Sequence, residues 1–391
     1  MEPYRINVSE DDLTALRGRI RSTRWPAPGA HVAPGRGVDL TFLQDMARYW
    51  VDVYDWRAAE RRLNAVPNFV DEIQGSQIHF QHVRSSHPDA MPLLLTHGWP
   101  GSVAEFERLV PYLTEPTSYG GHAEDAFHVV VPSLPGFGFS ATGDSGGWDV
   151  PKIAAAWSEL MGRLGYDRYV AHGGDAGSPI TQVLSMIDPQ HVAGIHLTML
   201  MTFPTPDEDL SEFDRLDRDR LAALEEFGTR RSAYMQVMAT RPLTLSYGLS
   251  DSPVGLLAWM LERYLEWADP DSVQDGALSW DDILTAASLY WFTNTAATSA
   301  NFYYEGAPAM RELTRGNVPA PNPAPAAVSV FPHDIMLPIP ALASRYLGNI
   351  VQWRDHTRGG HFPALECPEA LATDLRSFAR DLRKAPHMVA S

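Results

Sequence analysis

The sequence predicts an α/β fold, in which helices cover both faces of a mostly parallel β-sheet. Short apolar segments predict buried strands at 91–101, 127–140 and 168–174. Segments of helical periodicity alternate with them at 102–113, 150–165 and 178–188. Short apolar strands that alternate with helices are typical of parallel sheets whose two faces are both buried.

The 391 residues are enough for a large core, and we expect four segments. Residues 1–76 form an N-terminal extension packed on the core, and residues 77–202 form the first part of that core. Residues 203–310 are helix-rich and aromatic, which predicts a helical lid inserted into the α/β frame. Residues 311–391 form the second part of the core, entered through a Pro-rich connector at 317–327.

The extension is predicted to be helical. Ser9 can cap a helix over 8–22, and residues 40–66 predict one or two further helices. The stretch 23–37 between them is irregular and rich in Pro and Gly. Because no strand pattern is evident in this extension, we expect it to pack against other parts of the chain.

The remaining elements complete the predicted core and lid. Additional strands are predicted at 77–84, 328–334 and 350–357, with a closing helix at 368–385. The longest apolar run, 254–261, predicts a buried helix of the lid rather than a membrane span, since a span needs about 18 or more apolar residues.

Composition narrows the classes of partner. The formal net charge of −17 argues against nucleic acid and against anionic membrane surfaces. Cys367 is the single cysteine, so no intrachain disulfide can form. The first residues lack a basic start followed by an apolar run, so we expect no signal peptide and a cytoplasmic protein.

The segment YVAHGGDAGSPI, residues 169–180, predicts a strand that enters a tight turn and then a helix. Gly173 and Gly177 flank Asp175 at the spacing of a nucleophile elbow, where the strained turn requires small neighbours. Ser178 is a poorer nucleophile, because the β-branched Ile180 would crowd it. The structural alternative for Asp175 is a turn or helix-capping aspartate.

An acid and a histidine follow Asp175 in the order found in α/β-hydrolases. Asp334 comes just after a predicted strand, and His361 lies in a glycine-containing loop before the last helix. The rivals are Asp355 and Glu366 for the acid and His356 for the base. The turn HGWP after an early strand would supply a backbone N–H from Trp99 to an oxyanion hole, and Ala176 would supply the second.

A carboxylate nucleophile suits attack on saturated carbon. It gives an alkyl–enzyme ester, whose Asp175 carbonyl can be hydrolysed by water that His361 activates and Asp334 helps to orient. Opening an epoxide also requires a proton donor for its oxygen, and neutral phenols of the lid fit this role. The residues alone do not rank the lid tyrosines, which are Tyr234, Tyr247, Tyr264, Tyr290, Tyr303 and Tyr304.

Nearly the whole chain resembles the epoxide hydrolase family typified by the microsomal and juvenile-hormone enzymes. The family's N-terminal extension is matched by LRGRIRSTRWP and YWVDVYDWRAAERRLNAVPNFVDEIQGSQIHFQHV. The HGWP turn, the GGD elbow and RGGHF followed by PE match as well. The resemblance implies an α/β-hydrolase fold with a helical lid, and conversion of a small-molecule epoxide to a vicinal diol without cofactor or metal.

The resemblance also assigns roles to individual residues. The family's nucleophile falls on Asp175, its base on His361 and its acid on Asp334. Its lid tyrosines fall on Tyr234, in SAYMQ, and on Tyr303, in NFYYE, with Tyr304 as the adjacent rival.

Two departures from the family pattern shape the expected function. Ala176 stands where relatives commonly carry Trp, which predicts a wider pocket and a bulky substrate. The membrane anchor of the microsomal enzymes is missing, which implies a soluble enzyme.

A wide pocket suits detoxification or natural-product biosynthesis, and we favour the latter. A homodimer is compatible with the sequence. The alternatives are a haloalkane dehalogenase, disfavoured by Ala176, and a binding protein that has lost catalysis.

Overall fold

The computed structural model describes residues 1–27, 35–143 and 146–384, and these residues form a nine-stranded sheet covered by helices. Residues 28–34 of the predicted irregular stretch lie outside the described ranges. The strands are β1 (Glu2–Tyr4), β2 (Asn68–Ile73), β3 (Ser76–Val83), β4 (Met91–Thr96), β5 (Phe127–Pro132), β6 (Tyr169–Gly173), β7 (Val192–Leu197), β8 (Ala326–Val330) and β9 (Ile350–Asp355).

The strand order is β1-β2-β3-β5-β4-β6-β7-β8-β9. Pairing is antiparallel from β1 through β3 to β5, and parallel from β5 to β9. The predicted mostly parallel α/β sheet is therefore confirmed. The carboxyl ends of β4, β6, β8 and β9 lie at one edge, where loops from distant parts of the chain can meet.

Sixteen α-helices are formed by the described residues. They are α1 (Glu10–Arg21), α2 (Leu40–Asp52), α3 (Trp56–Leu63), α4 (Leu109–Thr114), α5 (Val150–Arg163), α6 (Gly177–Ile187), α7 (Arg215–Glu226), α8 (Ala233–Thr240), α9 (Pro242–Asp251), α10 (Pro253–Trp267), α11 (Pro270–Gln274), α12 (Trp280–Thr293), α13 (Ala296–Thr314), α14 (Pro340–Ala343), α15 (Pro363–Glu366) and α16 (Pro368–Lys384). No helix among them is both long and apolar enough to cross a membrane.

The two faces of the sheet are buried against different helices. On β4, Leu94 belongs to the large core cluster that includes Ile180 of α6. Its neighbours Leu93 and Leu95 point to the other face, in a cluster with Phe378 of α16. Burial on both faces explains why these strands are continuous apolar runs in the sequence rather than alternating ones.

Three expectations about the elements were wrong. The extension does contain strands: β1 has only three residues, and in the six-residue β2 buried and partly buried positions alternate only over 68–71. The strand β7 was not expected, since its Ala193 and Gly194 have low strand propensity. The helix expected at 102–113 is broken into a 3₁₀ turn, Val103–Phe106, and α4, because Pro111 has no N–H for a continuous helix.

The extension contacts the lid as well as the sheet. The Trp50 indole N–H donates to Ser288 Oγ on α12 at 3.0 Å, and the hydroxyls of Tyr54 and Thr285 are also 3.0 Å apart. Since β2 pairs with β3 in the sheet, the extension connects α12 to the core. The lid helices α7 to α13 lie between β7 and β8 along the chain, and α10 contains the predicted buried apolar run.

Candidate active site

The turn between β6 and α6 holds Asp175 in a left-handed backbone conformation, with φ of 49°. A Cβ at Gly173 would lie 2.1 Å from the Gly177 carbonyl oxygen, and a Cβ at Gly177 would lie 2.1 Å from the Thr96 carbonyl oxygen. Only glycine fits at these two positions. The close approach of β6, α6 and β4 therefore projects the Asp175 side chain beyond the sheet edge.

Backbone N–H groups bind the Asp175 carboxylate. The Trp99 N–H donates to Oδ1 at 2.8 Å, and the adjacent Ala176 N–H lowers the pKa of this carboxyl. Gly98 permits the approach, since a Cβ there would lie 2.1 Å from Oδ1. The two residues expected to form an oxyanion hole thus lie around the Asp175 carboxylate.

His361 lies between two carboxylates. Its Nδ1 is 2.7 Å from Oδ1 of Asp334, and its Nε2 is 3.6 Å from Oδ2 of Asp175. All three side chains are largely buried. The loop is fixed because the His361 N–H donates to the Trp267 carbonyl at 2.8 Å. The structure therefore brings together the three residues that the sequence proposed as nucleophile, base and acid.

The rival residues have other partners. Glu366 accepts backbone N–H groups of the His361 loop, from Gly360 and Phe362, and so stabilises the loop. Asp355 pairs with an arginine of α7. His356 lies just past the end of β9, rather than inside the strand as expected, and binds Asp374.

The electrostatics of the site favour a charged ring on His361. Burial alone would lower its pKa, but the hydrogen-bonded Asp334 carboxylate, with Asp175 and Glu105, outweighs burial and raises the pKa to about 9. Burial raises the pKa of Asp175, although the His361 charge and the Trp99 and Ala176 N–H groups oppose this effect. The nearby imidazolium and two N–H groups therefore favour the ionised form that a nucleophile needs.

Two tyrosines of the lid lie above this carboxylate. The ring of Tyr234, on α8, stacks on Trp99 at 5.4 Å, and the ring of Tyr303, on α13, is 5.9 Å from that of Tyr234. Burial raises the pKa of both tyrosines. The Asp175 charge raises the pKa of Tyr234 further, and the neighbouring Tyr234 phenol raises that of Tyr303 further. Both phenols therefore stay protonated at neutral pH. Tyr304 is 52% exposed and points away from the site.

The other lid tyrosines are engaged or distant. The Tyr264 hydroxyl is 3.5 Å from the Pro100 carbonyl, and the Tyr290 hydroxyl donates to the Gly101 carbonyl at 3.0 Å. Tyr247 is 71% exposed. Among the tyrosines that the sequence left unranked, Tyr234 and Tyr303 line the cavity that reaches Asp175.

An apolar cavity of about 350 Å³ extends from Asp175 and Ala176 between the core and the lid. Its lining includes five methionines, Met199, Met201, Met235, Met310 and Met336. These methionines could not be recognised as a group in the sequence, because they come from separate loops and helices with no common spacing. Unbranched methionines adapt to ligands of varied shape, so the cavity suits a bulky apolar molecule.

Two further polar residues near the catalytic group were not singled out as site residues. Glu105, in the 3₁₀ turn after β4, and His172, on β6, border a small cavity together with Asp175 and His361. The available signal for Glu105 was a carboxylate between the apolar Ala104 and Phe106, shortly after the HGWP turn. His172 lies within the apolar strand β6 and is buried.

Comparison with known proteins agrees with this architecture. The family described as "Epoxide hydrolase N terminus" matches residues 1–106, and the one described as "alpha/beta hydrolase fold" matches residues 91–294. The chain is 44% identical over 383 residues to a Stigmatella aurantiaca protein named "Putative epoxide hydrolase", covering 97% of this chain and 85% of that one. It is 33% identical to epoxide hydrolase 1 of Sus scrofa, covering 97% and 88%.

A solved structure is similar over nearly the same extent. The Aspergillus niger epoxide hydrolase superposes with a TM-score of 0.86 at 32% identity, covering 97% of this chain and 96% of that one. These similarities extend over nearly the whole chain. The chain therefore belongs to the epoxide hydrolase family, and it is a hydrolase that acts on epoxides.

Proposed function

We propose that this enzyme opens its epoxide by attack of the Asp175 carboxylate on a saturated carbon, and then hydrolyses the resulting ester. The observation that carries the proposal is the placement of this carboxylate between the His361 imidazole, 3.6 Å from Oδ2, and the apolar cavity lined by Tyr234 and Tyr303. A nucleophile, a base and two neutral acids thus meet at one group.

In the first step, an oxygen of Asp175 forms a bond to an epoxide carbon while the epoxide C–O bond breaks. The released oxygen takes a proton from Tyr234 or Tyr303, which leaves a tyrosinate. Proton donation at this stage matters because an alkoxide is a poor leaving group in an apolar cavity. The products are a neutral alkyl ester on Asp175 and the first hydroxyl of the diol.

Formation of the ester changes the protonation of His361. The Asp175 negative charge disappears, so one of the groups that raise the His361 pKa is lost. The imidazolium can then return its proton to the tyrosinate and become a neutral base. Asp334 accepts the Nδ1–H hydrogen bond, which leaves Nε2 free to take a proton from water.

In the second step, the oxygen of that water attacks the ester carbonyl of Asp175. The developing oxyanion is stabilised by the Trp99 and Ala176 N–H groups. When the intermediate collapses, the bond between the Asp175 acyl carbon and the alkyl-bearing oxygen breaks. That oxygen takes the proton held by His361 and becomes the second hydroxyl of the diol. The new carboxylic acid then gives its proton to His361, and the resting ion pair is restored.

The proposed substrate is a bulky apolar epoxide. Ala176 lines the cavity with only a methyl group, and the cavity surface is mostly apolar. For the biological role we propose a step in natural-product biosynthesis. A panel of epoxides of increasing size tests both points: selective turnover of one bulky scaffold supports them, and equal turnover of unrelated small epoxides contradicts them.

A single turnover in ¹⁸O-water tests the covalent mechanism. With enzyme in excess, both oxygens of the first diol should be unlabelled, because one comes from the epoxide and the other from Asp175. The peptide that contains Asp175 should gain the label. Full incorporation of ¹⁸O into the first diol would mean direct attack by water and would refute the ester.

A further inference from the structure

We propose that Glu105 and His172 hold the water that hydrolyses the ester, and that a hydrogen-bonded chain from Asp374 fixes His172 as an acceptor for it. This inference rests on the covalent mechanism proposed above. It assigns the second step to a site that is separate from the epoxide cavity. Glu105, His172 and the residues behind them act as positioning residues for that water.

The water would occupy a small cavity of about 10 Å³ beside Asp175. That volume matches the minimum for one water molecule, roughly 10–15 Å³. Its lining includes Glu105, His172 and His361, whereas the epoxide cavity is lined by Ala176 and the lid tyrosines. Asp175 is common to both linings, so the carboxylate lies between the two cavities. The ester carbonyl could therefore be attacked from the side opposite to the bound substrate.

Glu105 has the chemistry of a water ligand. Its carboxyl lies against Gly101, where a Cβ would be 2.2 Å from Oε2, and it has no hydrogen-bond partner among the described residues. The residue is partly buried, and a water in the cavity would supply the hydrogen-bond partner that the protein does not. Burial raises the pKa of Glu105 to about 8, with the His361 charge opposing this and Asp175 adding to it. At neutral pH Glu105 is therefore an O–H donor.

The chain behind His172 begins at Asp374. Ser329 Oγ donates its single hydrogen to Oδ2 of Asp374 at 2.5 Å. The Ser329 oxygen also lies 3.1 Å from Nε2 of His196, and having given its hydrogen away it must accept here. His196 therefore carries its proton on Nε2. Because burial lowers the pKa of His196 well below its usual value, the ring is neutral and its Nδ1 is bare.

This arrangement sets the tautomer of His172. The Nδ1 atoms of His172 and His196 are 3.0 Å apart, so the bare Nδ1 of His196 must accept a proton from Nδ1 of His172. Burial lowers the pKa of His172 to about 4, so this ring is neutral as well. Its Nε2 is then an unprotonated acceptor on a residue that borders the water cavity.

Together these groups define the orientation of one water molecule. Its two hydrogens would bind Nε2 of His361 and Nε2 of His172, and one lone pair would accept the Glu105 O–H. The remaining lone pair would face the ester carbon of Asp175. When His361 removes a proton, the hydroxide forms already aligned for attack, so little reorientation is needed in the transition state.

The test compares Glu105→Leu and His172→Phe with wild type. Glu107→Gln is the control, because Glu107 is two residues from Glu105 but pairs with Arg62. Loss of one hydrogen bond to the water should slow ester hydrolysis roughly 10- to 100-fold. Ring opening should be unchanged, so kcat and KM should fall together while kcat/KM stays constant. Intact-mass analysis should show the alkylated enzyme accumulating during turnover.

Two variants separate positioning from simple damage to the fold. Glu105→Gln keeps an N–H donor and should recover most of the rate lost in Glu105→Leu. Ser329 is not among the residues that line either cavity. In Ser329→Ala the chain to Asp374 is broken, so the His172 proton should no longer be confined to Nδ1. That tautomer can be observed by ¹⁵N NMR of histidine-labelled protein, where wild type should carry the His172 proton on Nδ1.

The outcomes distinguish this inference from the mechanism on which it rests. If wild type forms no ester, the covalent mechanism fails. If wild type forms the ester but Glu105→Leu and His172→Phe hydrolyse it at the wild-type rate, only the present inference fails. A His172 proton found on Nε2 in wild type would also overturn it, and that measurement requires no variant to fold.

Discussion

Nε2 of His361 lies 3.6 Å from Oδ2 of Asp175, while Nδ1 of the same ring lies 2.7 Å from Oδ1 of Asp334. One imidazole thus contacts two buried carboxylates, of which one is proposed to become an ester during each turnover. The charge of the ring is coupled to the state of Asp175. It should be an imidazolium in the resting enzyme and a base in the alkylated enzyme.

Substitution of His361 should separate the two steps of the reaction. His361→Gln keeps the Asp175 nucleophile and the lid phenols but lacks the base, so the ester should form and persist. Loss of a general base typically costs about 10²- to 10⁴-fold in rate, which should appear in kcat. Intact-mass spectrometry should detect the enzyme plus one substrate. His191→Gln, at a half-exposed histidine bound to Asp188, is the control and should turn over normally.

The same ion pairs predict how stability depends on pH. The pKa of His361 is raised in the folded state to about 9. Its contribution to the free energy of unfolding is therefore fully present below pH 6.5 and is lost as the pH rises through 9. A shift of this size corresponds to about 3 kcal/mol. The stability of wild type relative to His361→Gln should therefore decrease from pH 6.5 to 9.5. Chemical denaturation at both pH values measures it, and a constant difference would contradict the assignment.

The lid tyrosines should affect ring opening rather than ester hydrolysis. With Tyr234→Phe or Tyr303→Phe, one phenol remains, and the single-turnover rate of alkylation should fall about tenfold. With both replaced, the loss should reach about 10³-fold, within the range for general acid catalysis. Tyr304→Phe is the matched control, because that side chain is half exposed and should leave the rate unchanged. Full activity in the double variant would refute these roles.

The positions of the candidate catalytic residues followed from the sequence because the backbone topology determines them. Asp175, Asp334 and His361 each come after a strand of the parallel sheet, and the carboxyl ends of such strands share one edge. The elbow glycines added a local constraint that few turns satisfy. Chain order and turn chemistry were therefore sufficient to bring these three side chains together.

Features that depend on side-chain packing did not follow from the sequence. Glu105 lies in the 3₁₀ turn after β4 and His172 lies on β6, and only the folded protein shows that they border one cavity. Tyr303 and Tyr304 are adjacent in α13, and the helix rotation that decides between them is set by packing. The strand β2 was missed because buried and partly buried positions alternate over only four of its six residues.

The left-handed conformation of Asp175 should carry a measurable cost. Non-glycine residues with φ of 49° are strained, by roughly 1 kcal/mol relative to glycine. Asp175→Gly and Asp175→Ala should both be inactive, since each removes the nucleophile. The glycine variant should nevertheless unfold with a free energy about 1 kcal/mol higher than the alanine variant. Equal stabilities would show that the turn relaxes around the substitution.

Ala176 should determine the size of epoxide that the enzyme accepts. Its N–H favours the charged form of the Asp175 carboxylate and its methyl group lines the apolar cavity, so Ala176→Trp would keep the backbone N–H and fill part of the cavity. We expect kcat/KM for bulky epoxides to fall tenfold or more, since even about one methylene that no longer fits costs roughly 10- to 200-fold. A small alkyl epoxide, measured with the same variant, is the internal control and should retain its rate within a few-fold. If both substrates lost activity equally, the indole would be disturbing the nucleophile rather than narrowing the cavity, and the proposed basis for substrate size would be wrong.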